Sequence, residues 1–354
     1  MKNFWKNLAE KWPILTLAPM DGYTDSAYRQ TVKKISPEVI TFSEFYSADG
    51  LVHSKFLAGS VLPHQEIEKP LIIQIFGKDP EMFARAAEII EQYNVAGIDI
   101  NMGCPAKKVV RSWHGSCLII NRDTAFQIVE TLNKRSKLPI SVKTRLGFNG
   151  TESLIEFAKW LESAWAASLT VHGRTAAQGY TWYADFTQIY ELKNHINIPL
   201  ICNGDIMNYE DGMRKINNLN GFMIGRGSFG NPWCFLKDGD MIDHHGNKRP
   251  GWFVNGQYMP TLGEILEMME FHATALVQCK WERKGTLDIR KHLVQYLKWF
   301  PGVGVYRKRL VTIESLEVLV QIIAEIRAEF RDHLDLQPLQ INSLDEFKGY
   351  WGVD

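Results

Sequence analysis

Residues 97–103 read "GIDINMG", and Cys104 and Pro105 follow at once, with Lys107 and Lys108 just beyond. A short apolar run closed by asparagine, glycine and proline reads as a buried strand ending in a tight turn. The same shape recurs along the chain. Before it stand "ILTLAPM" (14–20), "VITFSEF" (39–45) and "LIIQIFG" (71–77). After it come "ISVKTRLG" (140–147), "SLTVHGR" (168–174), "PLICNGD" (199–205) and "GFMIGRG" (221–227). Between most of these runs lie helical patterns with charged faces. Residues 79–94, "DPEMFARAAEIIEQYN", open with an aspartate cap and a first-turn proline. Residues 121–136 and 151–165 carry the same spacing. Eight strands alternating with helices over residues 1–233 predict a closed parallel (β/α)8 barrel. An open doubly wound sheet would carry a Gly-rich first turn, and "APMDGYTD" (18–25) lacks that fingerprint.

A barrel places its chemistry at the C-terminal ends of its strands. Those ends carry Met20, Glu44, Gln74, Asn101, Lys143 with Arg145, His172 with Arg174, Asn203 with Asp205, and Arg226. Lys143 and His172 lie inside apolar strands just before the ends. Burying a lysine is costly unless it meets an electron-rich partner, so the two together predict a shared anionic or electron-rich ligand in one mouth. The last two strands end in "NGD" (203–205) and "GRG" (225–227). In barrels this is where backbone N–H groups hold a phosphate, and Arg226 adds a charge-assisted contact.

The rest of the chain bounds the function. There are 354 residues, with 40 Lys plus Arg against 40 Asp plus Glu, so net charge argues for no partner and only its distribution can. The five cysteines include no C-x-x-C pair, which points away from a metal centre and from a disulfide framework, towards reduced thiols in a cytoplasmic protein. The first residues, "MKNFWKNLAEKWP", lack the apolar core of a signal peptide, and no run is long enough to span a membrane. Residues 234–260 are rich in Gly, Asp, His and Pro and read as an insertion or linker, with His244 and His245 as solvated loop residues. Residues 261–354 read as a small helical bundle with a C-terminal tail. Within 279–310, Lys280, Arg283, Lys284, Arg290, Lys291, Lys298, Arg307, Lys308 and Arg309 face only Glu282 and Asp288, with Trp281, Tyr296, Trp299 and Tyr306 interleaved. Cations with aromatics suit a phosphate backbone and unstacked bases. Lys107, Lys108 and Arg111 would extend the stripe toward Cys104.

Taken in order, "APMDGYTD", "NMGCPAKKV" (101–109), "VKTR" (142–145), "VHGRT" (171–175), "NGDI" (203–206) and "GRGSFGNPW" (225–233) resemble the dihydrouridine synthases, flavin enzymes that reduce uridines in tRNA. "IRKHLVQYLKWFPG" (289–302) resembles their C-terminal helical domain, most like the bacterial B-type branch. The resemblance spans roughly residues 12–327. It implies an FMN-binding (β/α)8 barrel followed by a helical tRNA-binding domain, with NADPH as reductant. It implies that Pro19, Met20 and Asp21 pass beside the flavin. Gln74, Lys143 and His172 would contact its ring or ribityl chain. Asn203, Gly204, Asp205, Gly225 and Arg226 would hold its ribityl and phosphate end. Cys104 would be the catalytic acid, and Asn101 and Arg174 would contact the uracil. Lys107, Arg145, Arg290 and Lys291 complete the expected substrate contacts. Asp21 and Cys117 depart from the usual pattern, and 234–260 is longer than expected.

The chemistry suits these residue types. Reducing the 5,6 double bond of uracil needs a hydride at carbon 6 and a proton at carbon 5. A thiol is mostly protonated at neutral pH yet leaves as thiolate, and one on a turn free to close over a bound base could deliver that proton. Lys143 would stabilise negative charge left on the flavin. Two other readings stay open: a flavin barrel reductase of a small molecule, and a tRNA-binding protein without catalysis.

Overall fold

The computed structural model describes residues 3–11, 13–150, 152–237, 253–254, 256–300 and 303–336. The eight apolar runs become eight strands: β1 (Ile14–Leu17), β2 (Thr41–Ser47), β3 (Leu71–Phe76), β4 (Gly97–Asn101), β5 (Ile140–Arg145), β6 (Ser168–His172), β7 (Leu200–Asn203) and β8 (Gly221–Ile224). They form one parallel sheet in the order β1-β8-β7-β6-β5-β4-β3-β2. A parallel bridge between Thr16 and Ile40 joins its two ends. There the Leu17 N–H donates to the Ile40 carbonyl at 3.0 Å and the Ile40 N–H to that of Leu15 at 2.9 Å. The expected (β/α)8 barrel is therefore the fold, and all eight C-terminal ends share one rim.

The connecting helices form where their caps predict. Asp79 accepts the Glu81 N–H at 2.9 Å and opens the helix Pro80–Ile90, with Pro80 in its first turn. Arg122–Arg135 and Leu154–Ser163 are the next long helices, the latter capped by Ser153. The chain divides into two compact units. One comprises residues 1–25, 38–207 and 211–225; the other comprises 26–37, 208–210 and 226–354.

In the second unit, Thr261 and Glu264 form a capping box at the head of the helix Leu262–Lys280. The helices Glu282–Tyr296, Gly304–Leu310 and Leu316–Glu329 follow. Leu266, Met269, Leu293, Leu319 and Ile322 are among the side chains of its core. Ala27, on the helix Ser26–Ile35 that follows the first barrel strand, belongs to this core. Of the expected insertion, residues 238–252 and 255, with His244 and His245, lie outside the described residues, as does the tail 337–354. Its described edges are a short helix Pro232–Phe235 and a two-stranded antiparallel ladder, β9 (Phe253–Val254) with β10 (Gln257–Tyr258). Among the described residues no helix is long and apolar enough to cross a membrane.

Candidate active site

Register decides which polar side chains meet. Gln74 pairs with Asp99 and Asp99 with Ser141. Two residues further along β4 and β5, Asn101 pairs with Lys143. At the rim, Arg145 pairs with His172 and His172 with Asn203. Side chains two apart on a strand share a face, so these groups stack in successive layers towards the mouth. Asp99, a residue the sequence reading passed over, lies at the deepest of them. Its signal was available: it is a carboxylate inside an apolar strand, as Lys143 is a cation inside one.

The layers are joined by a chain of hydrogen bonds. Ser141 Oγ donates to one Asp99 oxygen at 2.6 Å, and Gln74 Nε2 to the other at 2.7 Å. Asn101 Nδ2 donates to Gln74 Oε1 at 2.8 Å. Asn101 Oδ1 then accepts the backbone N–H groups of Gly103 at 3.2 Å and Cys104 at 2.9 Å. Each amide's orientation is thus fixed by the one below it, and the series ends at the cysteine. Burial pushes the Asp99 carboxyl up to about 6, against the opposing pull of Ser141, Gln74 and Lys143.

The Cys104 turn is held from several sides. Arg145 Nε donates to the Gly103 carbonyl at 2.7 Å, and the Ser116 N–H to that of Cys104 at 3.2 Å. Gly115, at φ +61°, packs so closely that a Cβ there would sit 2.9 Å from the Cys104 oxygen. Burial pushes the Cys104 thiol up from its ordinary value, with Arg145 and Lys143 pulling the other way, so it stays protonated at neutral pH. Cys202, by contrast, is a core residue of β7.

Lys143 reaches across the mouth, and its Nζ donates to Asn203 Oδ1 at 2.9 Å, while Asn203 Nδ2 donates to the Met223 carbonyl at 2.9 Å. Burial first, then the Arg145 charge, push Lys143 down to about 8. His172 is buried with its ring edge to that of Tyr180, 6.3 Å between centroids. Gly204 has φ +118°, and a Cβ there would meet Ala184 at 2.8 Å. Gly225 faces Ala18 and Met20. After β1, the Met20 N–H donates to Thr24 Oγ1 at 2.9 Å and the Gly22 N–H to Glu44 at 2.5 Å, which sets the turn that carries Pro19, Met20 and Asp21.

Several expected contact residues turn out to be held by the protein itself. Arg145 Nη1 donates to the carbonyls of Thr175 at 3.0 Å and Gly179 at 2.8 Å. Arg174 is 2% exposed. Its Nε donates to the carbonyls of Thr181 and Trp182, both at 3.0 Å, and its Nη2 to Trp182 and Asp205. Asp205 also accepts the Ala184 N–H at 2.9 Å. Lys107 is exposed at the head of the short helix Lys107–Arg111. The remaining residues fall in the second unit. Arg226 is exposed and opens a short turn, Arg226–Ser228. Arg290 donates to the Ile313 carbonyl at 2.8 Å, and Lys291 follows it on the same helix. Among the described residues no group of three or more His, Cys, Asp or Glu is placed to hold a metal ion.

Comparison with known proteins agrees with this layout. The family profile described as "Dihydrouridine synthase (Dus)" matches residues 16–331. A protein of Synechocystis sp. named probable tRNA-dihydrouridine synthase 1 is 35% identical over 85% of this chain and 82% of its own. The tRNA-dihydrouridine synthase B of Pasteurella multocida is 34% identical over 82% of this chain and 86% of its own. Among solved structures, a 2-naphthoyl-CoA reductase complex shares the fold at TM-score 0.51 and 11% identity, over 62% of this chain and 48% of its own. With the family matched along nearly its whole length, and the cysteine, lysine and histidine of its motifs gathered in one barrel mouth, the chain belongs to the dihydrouridine synthases and is a flavin-dependent oxidoreductase.

Proposed function

We propose that this protein reduces the 5,6 double bond of D-loop uridines in tRNA, with FMN as its cofactor, NADPH as reductant and Cys104 as proton donor. The single observation that carries the reading is the Cys104 thiol: burial keeps it protonated, and the Asp99–Gln74–Asn101 chain fixes its turn at the barrel mouth. A group that gives up a proton in a single step is best supplied protonated and already aimed.

The residues fit a flavin. Lys143 is a half-buried cation whose hydrogen-bond partner is the neutral Asn203 amide, and Arg174 Nη1 is buried with no hydrogen-bond partner. Donors of this kind suit an electron-rich ring. Bound there, FMN supplies the hydride for carbon 6. Pro19, Met20, Asp21, Gln74, Lys143 and His172 would line its ring, while Asn203, Gly204, Asp205, Gly225 and Arg226 would hold its ribityl and phosphate end. Lys143 would offset negative charge that develops on the bound ring. Cys104 holds the proton for carbon 5 on its Sγ and, once it is transferred, stays behind as the thiolate. Asn101, Lys107, Arg145 and Arg174 would orient the substrate at the mouth. Arg290 and Lys291 would meet tRNA phosphates from the helical unit, a tRNA-binding domain in this reading. The target base must leave its stack, at about a few kcal/mol.

The test is turnover of unmodified tRNA with FMN and NADPH, followed by mapping of dihydrouridine. Cys104→Ala should keep bound, yellow FMN and lose at least roughly a hundredfold in rate. Undiminished turnover would remove Cys104 as the acid. Bound flavin with no tRNA product from the unaltered protein would favour a small-molecule reductase instead.

A further inference from the structure

The loop after β6, residues 175–184, carries three aromatic rings at the barrel rim. Tyr180 leans on the Arg145 guanidinium, 5.5 Å from its centroid. Trp182 is 81% exposed and Tyr183 is 91% exposed. This loop does not hang free. Arg145 holds the Thr175 and Gly179 carbonyls, Arg174 holds those of Thr181 and Trp182, and Asp205 holds the Ala184 N–H. Two consecutive carbonyls cannot face one guanidinium in an extended chain, where successive carbonyls point opposite ways. The bend that brings both inward puts Trp182 at φ +61°.

That conformation is uncommon for a bulky residue and is strained. Trp113, Trp165 and Trp281 also have positive φ, but the first two follow helices whose carbonyls their N–H groups satisfy, Val110 and Glu162 respectively, and Trp281 is the one-residue corner between the helices Leu262–Lys280 and Glu282–Tyr296. Folding accounts for those three. No helix ends at Trp182, and glycine or asparagine would take the same bend with less strain. Nor does burial explain the choice, since the ring faces water. Strain and exposure in one residue, on a loop bolted in place, mark a contact surface.

We infer that Trp182 and Tyr183, with Tyr180 beneath them, form a stacking lip for an unpaired nucleobase adjacent to the uridine in the mouth. The inference rests on the tRNA reading above and specifies it. Three features favour RNA as the occupant. The loop that carries the lip starts directly after Arg174, two residues from His172, so it is continuous with the mouth. Its backbone is held in part by the buried Arg145 guanidinium, with Lys143 in the same mouth, and two cations there suit a polyanion. Its flat rings at an exposed edge suit bases that are out of a helix, because every base has a π face.

The experiment is a cycle between protein and RNA. Trp182→Gly and Trp182→Phe are compared with the unaltered enzyme on an unmodified tRNA transcript, and on transcripts abasic immediately 5′ or 3′ of the reduced uridine. Stacking predicts that Trp182→Gly raises KM for tRNA by roughly tenfold or more, with a smaller change in kcat, and that Trp182→Phe restores most of it. It also predicts that the Gly penalty disappears on one of the abasic transcripts. Because glycine relieves the bend, Tm should hold or rise. The lip is overturned if KM is unchanged, or if the penalty persists in full on both abasic transcripts. A fall in Tm with no KM effect would assign Trp182 to folding and also overturn it. Normal tRNA turnover with an additive cycle removes the lip alone. Bound flavin with no tRNA binding by the unaltered enzyme removes the tRNA reading and the lip together.

Discussion

The barrel mouth and the basic stretch of the helical unit were both recognised from polar residues crowded together, yet the structure treats them oppositely. In the mouth, side chains from neighbouring strands bond one another below the surface: Ser141, Asp99, Gln74 and Asn101 in series, then Lys143 to Asn203. In the helical unit the cations are met piecemeal. Lys280 and Lys284 both pair with Asp288, Arg309 pairs with Glu325, and Arg290 is tied to a carbonyl. Glu325 lies outside the 279–310 stretch, so the run is less one-sided in space than in sequence. The difference teaches where single substitutions should matter. A buried series transmits a change along its length, whereas exposed pairs are worth little each and act through their sum.

The largest effect expected from this contrast is at Asp99, which is fully buried at the bottom of the series and positions the groups above it. Asp99→Asn puts an amide where two acceptor oxygens stood, so Gln74 or Ser141 loses its partner and the orientation of Asn101 is no longer dictated. A roughly hundredfold loss in kcat is expected, as for a reacting group displaced by about 1 Å. The rate of Cys104 alkylation by iodoacetamide should change with it. Normal kcat and alkylation would reduce the series to packing.

An intermediate effect is expected on the basic face. Arg283 and Lys308 are exposed, and reversing both to Glu should weaken tRNA binding several-fold and reduce the salt slope by about 2. The same reversal at Arg309, already paired with Glu325, should do less. Equal slopes for all the variants would show that the face does not meet phosphate, and the contrast drawn here would narrow to the mouth alone.

The smallest effect concerns a buried series in the helical unit, which tests whether such series belong to the mouth only. His272 Nδ1 lies 3.0 Å from the Tyr296 hydroxyl, and its ring is 4.6 Å from that of His292. Tyr28, on the helix Ser26–Ile35, packs against both histidines. Burial, with His272, Lys291 and Lys280 adding to it, holds His292 well below the ordinary histidine range. The folded unit therefore keeps it neutral while the unfolded chain protonates it near pH 6.5. Its contribution is fully present above about pH 6.5 and is lost progressively as pH falls from there toward the depressed folded value. His292→Phe should flatten the fall in Tm between about pH 7 and pH 5. An unaltered slope would place the acid sensitivity elsewhere.

Much of this was legible without coordinates because it depends on local repetition. A strand buried on both faces must be apolar along its length and must end in turn residues, so "GIDINMG" and its seven counterparts announced themselves. The barrel then follows from alternation with helices, and the rim residues from the rule that parallel strands share one exit. Cys104, Lys143 and His172 were found because each breaks the pattern of its own run.

What the sequence could not give depends on partners far along the chain. Asp99 acquires its meaning only through Gln74, 25 residues before it, and Ser141, 42 after it. Arg145 and Arg174 read as substrate contacts in sequence, and only the fold shows that each also holds carbonyls of the loop at 175–182. The helix Ser26–Ile35 sits between two barrel strands in sequence, yet it groups with helices more than 200 residues later. Periodicity and turn chemistry are properties of a few neighbouring residues, so the sequence by itself determined the elements and the chemical groups at their ends. Register, burial and the direction of each hydrogen bond arise only when distant segments are brought together, so tertiary structure decided which of those groups hold one another and which remain to meet a substrate.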